Sequence, residues 1–271
     1  MPRTEDMPDD STVAQYLESA ASIAESAGPI ALQYFRNPLD IENKIEGAGF
    51  DPVTRADREV EAFIRAELGR LYPEHGIRGE EEEAFETDSA YCWIIDPIDG
   101  TRAFISGVPA WGILLGLTLD ETCVAGVMHQ PYLGETFLGA AGRASMRRAG
   151  KEIELHTSKT SELSSAITYC THPSMFKVKS DREAFKRVSG ASRMLRYGGD
   201  CYSYCLLAHG LIDLIIEGQL QPYDIIPLIP IVEGAGGVVT NWQGESAMAG
   251  GLVVAAANPE LHQQALDLLN D

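Results

Sequence analysis

Two carboxylates three positions apart, Asp96 and Asp99, close the apolar run Trp93-Ile94-Ile95 in the string Asp96-Pro97-Ile98-Asp99-Gly100-Thr101. Hard divalent cations take oxygen ligands, and phosphate takes free backbone N–H groups. A tight turn from Asp96 to Asp99 would aim both side chains at one point. The Ile98 carbonyl, released from any ladder, could join them. Gly100-Thr101 would then open a helix or turn whose N–H groups face the same place. Pro97 fixes its own φ and holds Asp96 extended, so the strand is expected to stop there. This short stretch could therefore supply both halves of a metal-assisted phosphatase site. The plainer reading is an Asp-Pro turn followed by an N-capping Asp.

Three more acidic residues sit at comparable places. Glu80 follows Gly79 at the end of a short strand, Asp224 opens a helical stretch, and Asp51 precedes Pro52. Alone, each reads as a cap or a solvated loop residue, as Glu82 and Glu83 do. Together with Asp96 and Asp99 they have the composition of a site for two or three Mg²⁺ ions, all oxygen and no imidazole. Two such ions can clamp phosphate oxygens and lower the pKa of a bound water. Thr101 could orient that water, with Asp51 accepting from its hydroxyl, although spacing alone does not assign that role.

The rest of the chain must carry these residues to one place. Its 271 residues suit one large domain or two small ones, and 45% hydrophobic with 23% charged residues is ordinary for a soluble globular protein. No apolar run approaches the length of a membrane span. The opening Met1 to Asp10 is polar and acidic, does not read as a signal peptide, and is expected to fray. Five cysteines without a Cys-x-x-Cys pair read as reduced, in a cytoplasmic protein. Scattered histidines disfavour zinc. A formal net charge of -19 argues against nucleic acid and makes bound cations useful to any phosphorylated substrate.

Periodicity predicts a helix capped by Ser11 and running to about Arg36, with Val13, Tyr16, Leu17, Ala20 and Ala24 inward. A strand at Ile41 to Ile45 and a small-residue loop, Lys44 to Phe50, follow, the loop being a candidate lid. A second helix reaches about Leu71, and Gly76 to Gly79 is a strand. Phe104 to Pro109 reads as a loop. Trp111 to Leu119, Thr122 to Met128 and Glu135 to Gly139 form an antiparallel meander, and Arg143 to Lys151 reads as a hairpin tip. Near Glu154 the texture becomes alternating strand and helix. Residues 1–153 are accordingly expected to form an α+β part bearing the main metal site, and 154–271 an α/β part completing it. Asp224 to Gly234 reads as one helix, tolerant of Pro227 in its first turn and kinked at Pro230.

Asp96-Pro97-Ile98-Asp99-Gly100-Thr101 resembles the signature of the inositol monophosphatase superfamily of Mg²⁺-dependent phosphatases. Asp51-Pro52-Val53-Thr54-Arg55-Ala56-Asp57, Gly79-Glu80-Glu81 and Pro222-Tyr223-Asp224 with Glu233 to Gly237 resemble its other motifs, so the likeness covers nearly the whole chain. The resemblance implies a layered α-β-α-β-α sandwich of α+β class and a homodimer. It assigns Glu80, Asp96, the Ile98 carbonyl, Asp99 and Asp224 to metal, Thr101 with Asp51 to water activation, and the Gly100 and Thr101 N–H groups to phosphate.

Within the superfamily, Arg196 to Tyr202, Leu220 to Asp224 and Gly100 to Gly112 resemble the histidinol-phosphatase branch. Histidinol phosphate carries an ammonium and an imidazole, and a buried carboxylate favours such a cation over a bare polyol. Asp200 and Glu217 are the candidates for that contact, with a helix N-cap as the plainer role for Asp200. Arg102 could pair with a phosphate oxygen or with a carboxylate. The expected activity is hydrolysis of L-histidinol phosphate to L-histidinol. The alternatives are an inositol monophosphatase, a broad sugar- or nucleotide-phosphate hydrolase, and a non-catalytic interaction protein on the same fold.

Overall fold

The computed structural model describes residues 8–38, 41–43, 52–140 and 142–271. The expected lid, residues 44–50, and Asp51 lie outside the described residues. Helix α1 (Asp10–Leu32) is capped by Asp9, whose carboxylate accepts the Thr12 N–H at 2.8 Å, two residues before the expected Ser11. It ends four residues short of Arg36, which takes a left-handed φ of 61°. Strands β1 (Ile41–Asn43) and β2 (Pro52–Thr54) pair antiparallel, and α2 (Arg55–Leu71) follows. Thr54 and Asp57 form the capping box that starts α2.

A seven-stranded sheet comes next, with β3 (Gly76–Gly79), β4 (Tyr91–Asp99), β5 (Gly112–Leu119), β6 (Thr122–Gln130), β7 (Glu135–Ala140), β8 (Arg143–Arg148) and β9 (Lys151–Glu154) in spatial order. It is the expected meander except at its edge, where β3 runs parallel to β4. The stretch taken for a hairpin tip is instead the two paired strands β8 and β9. The stretch taken for a loop from Phe104 begins inside a short helix, α3 (Thr101–Ile105).

The second half supplies β10 (Ile167–Cys170), α4 (Lys179–Ala191), β11 (Met194–Tyr197), α5 (Asp200–Ala208), β12 (Leu214–Leu220), α6 (Pro222–Ile225), α7 (Ile229–Gly234), β13 (Val238–Asn241), β14 (Gly251–Ala256) and α8 (Pro259–Asn270). Its five strands lie in the order β11-β10-β12-β14-β13. α1 and α2 cover the outer face of the first sheet, α5 and α7 lie between the sheets, and α4 with α8 cover the outer face of the second. The architecture is thus an α+β sandwich layered α-β-α-β-α, its middle layer closing one core against both sheets.

That middle layer contains a break the sequence reading put elsewhere. The helix expected over 224–234 is interrupted at Ile226–Leu228, around Pro227, and Pro230 sits harmlessly in the first turn of α7. Beneath the break, Gly116, Gly126 and Gly139 stand in register across β5, β6 and β7. A Cβ at Gly116 would lie 3.3 Å from Pro227 Cα, and one at Gly126 or Gly139 would collide with the backbone of Pro227 or of the Pro230-Ile231 link. The glycine stripe therefore lets the broken helix rest directly on the sheet, which sets the height of Asp224 above β4 and β5.

Candidate active site

β4 does not stop at Asp96. It pairs on to Asp99 across a bulge, with Asp96 opposite Leu114 and Asp99 opposite Gly112. Three steps on β4 match two on β5. In a regular strand, residues three apart point to opposite faces; one extra residue reverses that parity and lets both carboxylates face one side. Asp96 Oδ1 accepts the Ile98 N–H at 3.1 Å, and Asp99 Oδ2 accepts the Cys201 N–H at 2.8 Å. Asp224 Oδ2 accepts the Gln221 N–H at 2.8 Å. One carboxylate oxygen from each of Asp96, Asp99 and Asp224 lies within 4.8 Å of the others.

Burial, and then the charges of Glu80, Asp99, Asp224 and Asp57, hold the Asp96 carboxyl well above its ordinary range. Burial and Asp224 push Asp99 up to about 7, against the relief of the Cys201 N–H. Such a cluster is comfortable as carboxylates only beside a cation. Its donors are carboxylate oxygens next to a backbone carbonyl, the set a hard divalent ion takes. The residues present fit the metal.

Glu80 stands beside this triad, its charge felt by Asp96, Asp99 and Asp57. Its loop is tied down by Glu61 of α2. Glu61 Oε2 accepts the Glu81 N–H at 2.8 Å, and Oε1 accepts the Glu82 N–H at 3.1 Å and Arg65 Nε at 2.8 Å. Gly79 leaves room for this carboxylate, which a Cβ there would strike.

Gly100 takes a left-handed φ of 81°, and a Cβ there would lie 3.1 Å from Asp200 Cβ. Thr101 opens α3, and its hydroxyl donates to the Ile98 carbonyl at 3.3 Å. Asp51, the expected partner of Thr101, lies outside the described residues.

On the far side of the triad is a cavity of about 130 Å³ whose lining includes Asp99, Asp200, Tyr204, Glu217 and Asp224. Asp200 begins α5 with a left-handed φ of 43°, but the capping position is Gly199 and no side chain caps the helix. The N-cap reading of Asp200 therefore fails. Burial and the neighbouring Asp99 push Asp200 up to about 7, while Arg102 pulls it back. Glu217 is 1% exposed. Its Oε1 accepts the Thr171 N–H and hydroxyl at 2.8 and 2.9 Å, and its Oε2 has no partner among the described residues. Burial pushes Glu217 up to about 8.

The structure thus gathers Asp96, Asp99 and Asp224, with Glu80, Thr101, Gly100, Arg102, Asp200 and Glu217 around them. Sequence reasoning missed three supports. Asp57 is buried and pushed up to about 6 by burial, with Glu80 adding to it, while it accepts from the Thr54 N–H and hydroxyl. Glu61 had no signal, because it looks like any charged helix residue. The glycine stripe did have one, since an isolated glycine inside an apolar strand marks a close backbone approach.

The sequence model of the inositol monophosphatase family matches residues 12–271. Bifunctional phosphatase IMPL2, chloroplastic, of Arabidopsis thaliana is 36% identical over 271 residues, 96% of this chain and 76% of its own. Histidinol-phosphatase of Mycobacterium tuberculosis is 37% identical over 221 residues, 81% of this chain and 85% of its own. An inositol monophosphatase from Zymomonas mobilis superposes with a TM-score of 0.83 at 36% identity, covering 95% of this chain and 98% of that one. With an acidic centre suited to metal and a match that runs through both sheets, the chain belongs to the inositol monophosphatase family, a family of metal-dependent phosphatases, and is itself a phosphatase.

Proposed function

We propose that this phosphatase hydrolyses L-histidinol phosphate to L-histidinol and phosphate, with Mg²⁺ as its metal. The observation that carries the substrate is the pair Asp200 and Glu217, two carboxylates beyond the metal set that border one cavity beside the triad. A cationic substrate end relieves their burial, whereas a polyol offers them no charge. The name of the Mycobacterium tuberculosis relative supports this reading. The likeness to the Zymomonas mobilis inositol monophosphatase supports the second reading, an inositol-directed enzyme.

Asp96, Asp99, Asp224, Glu80 and the Ile98 carbonyl would hold the metal. When bound, Mg²⁺ neutralises phosphate charge and makes a bound water acidic enough to attack phosphorus. Thr101 would orient the attacking water, and Asp51, outside the described residues, would accept from the Thr101 hydroxyl as the water gives up its proton. The Gly100 and Thr101 N–H groups, with Arg102, hold the phosphoryl oxygens, and Asp200 and Glu217 receive the end that bears the ammonium and the imidazole. Residues 1–153 carry the main metal site in this reading, and 154–271 complete it through Asp200, Glu217 and Asp224. The five free cysteines agree with a cytoplasmic enzyme, and the family resemblance with a homodimer. Among the described residues no helix is long and apolar enough to cross a membrane.

The test is kcat/KM on histidinol phosphate, inositol 1-phosphate and fructose 1,6-bisphosphate, measured side by side with Mg²⁺. The largest value is expected for histidinol phosphate. A larger value for inositol 1-phosphate sinks the substrate assignment and leaves the phosphatase standing.

A further inference from the structure

Two residues that line the cavity beside the triad carry a buried polar atom with no hydrogen-bond partner among the described residues: Glu217 Oε2 and the Tyr204 hydroxyl. Tyr204, on α5, is 2% exposed and reaches the cavity from the middle layer, while Glu217 reaches it from β12. A buried polar atom left unpaired is unfavourable, so two at one cavity mark a place where something else completes them. At about 130 Å³ the space exceeds what one water needs. The rest of its wall includes the apolar side chains of Met175, Leu220 and Leu228.

We propose that Tyr204 is a specificity-determining residue that, with Glu217, receives the imidazole ring of the substrate, leaving the ammonium to Asp200. The inference rests on the histidinol phosphate reading and deepens it. Glu217 Oε2 calls for a donor, because Oε1 already carries both Thr171 contacts. The Tyr204 O–H calls for an acceptor. A neutral imidazole offers one N–H and one bare ring nitrogen, and so satisfies both. An ammonium offers donors only and leaves the hydroxyl hydrogen unpaired. The apolar wall suits ring faces better than a hydroxylated carbon ring.

Tyr204→Phe removes the hydroxyl and keeps the packed ring. Two substrates are compared in wild type and variant: histidinol phosphate, and the phosphate ester of 2-aminopropan-1-ol, which keeps the ammonium and lacks the imidazole. The variant is expected to lower the ratio of kcat/KM for histidinol phosphate to that for the aminopropanol ester about tenfold, mainly through KM. Its melting temperature without substrate should equal or exceed that of wild type, because an unpaired group has been removed. An unchanged ratio at normal stability overturns the proposal. If Tyr204→Phe fails to fold, competition by free imidazole decides: inhibition of wild type that is competitive against histidinol phosphate and absent against the aminopropanol ester supports the ring site, and the same inhibition of both overturns it. Failure of wild type to prefer histidinol phosphate over inositol 1-phosphate overturns the substrate reading and this inference together. An unchanged ratio with that preference intact overturns this inference alone, so the two failures are distinguishable.

Discussion

Glu61 and Glu217 are both enclosed, 0% and 1% exposed; Glu61 holds the loop that carries Glu80, and Glu217 lines the cavity beside the triad. Glu61 has each oxygen engaged: two backbone N–H groups of the Glu80 loop and the Arg65 guanidinium meet it. Glu217 has one oxygen engaged by Thr171 and the other facing a cavity without a partner. Burial is the same, and the completeness of partners differs. A carboxylate whose lone pairs are all answered inside the protein is part of the scaffold, here fastening the loop that presents Glu80. One with an unanswered oxygen on an open cavity is held ready for a ligand.

The contrast supposes that a cation occupies the acidic centre. The largest effect should therefore come from removing it. Treatment with EDTA, or Asp99→Asn, should lower phosphate release on the order of a thousandfold, and excess Mg²⁺ should restore the chelated wild type. Activity that survives a chelator would break the comparison at its root.

Glu61→Ala sharpens the scaffold half. It strands two part-buried N–H groups and Arg65, which should destabilise the protein by about 3 kcal/mol. For a chain of this size that lowers Tm by about 10 °C. A variant that melts with wild type would show Glu61 to be dispensable.

Glu217→Gln sharpens the other half. It keeps shape and one Thr171 acceptor, so Tm should change little, while KM for histidinol phosphate rises about tenfold. Loss of stability comparable to that of Glu61→Ala would erase the distinction between the two residues.

The smallest effect is a dependence of stability on pH without metal. Folding raises Glu217 from 4.5 to about 8, and Asp99 and Asp200 from 3.8 to about 7. Raised carboxyl values mean that the folded state holds more protons than the unfolded state between these limits, so stability falls as pH rises from about 4 to about 8. Thermal melts of chelated protein should show Tm several degrees lower at pH 8 than at pH 5, and Mg²⁺ should recover it at pH 8. A Tm that rises over that range would contradict the assigned burial of these groups.

Much of this site was legible before the fold. Asp96, Asp99 and Asp224 betray themselves by their place at element ends, and the strands of the meander by alternation and turn residues. The errors were local and have causes. The strand was expected to end at Asp96 because Pro97 fixes its own φ and holds Asp96 extended, yet a bulge absorbs the proline and carries the ladder to Asp99. The helix was expected to bend at Pro230, yet the glycine stripe beneath Pro227 lets the chain break earlier and settle on the sheet. The capping role offered for Asp200 fell because α5 starts one residue sooner, with Gly199 in the cap.

Residue type and spacing pointed to hard-cation chemistry on phosphate beside a plainer reading as turns and caps, because only oxygen donors recur at the ends of elements, and the resemblance of the motifs to a known family decided between them. Residue type and spacing also determined the two textures of the chain, because period and turn chemistry are local properties. Only the tertiary structure decided that Glu61 is scaffold while Glu217 and Tyr204 face a cavity with atoms to spare. Whether a buried polar group is satisfied depends on neighbours distant in sequence, 20 residues away for Glu61 and 46 for Glu217, and no local pattern encodes their arrival.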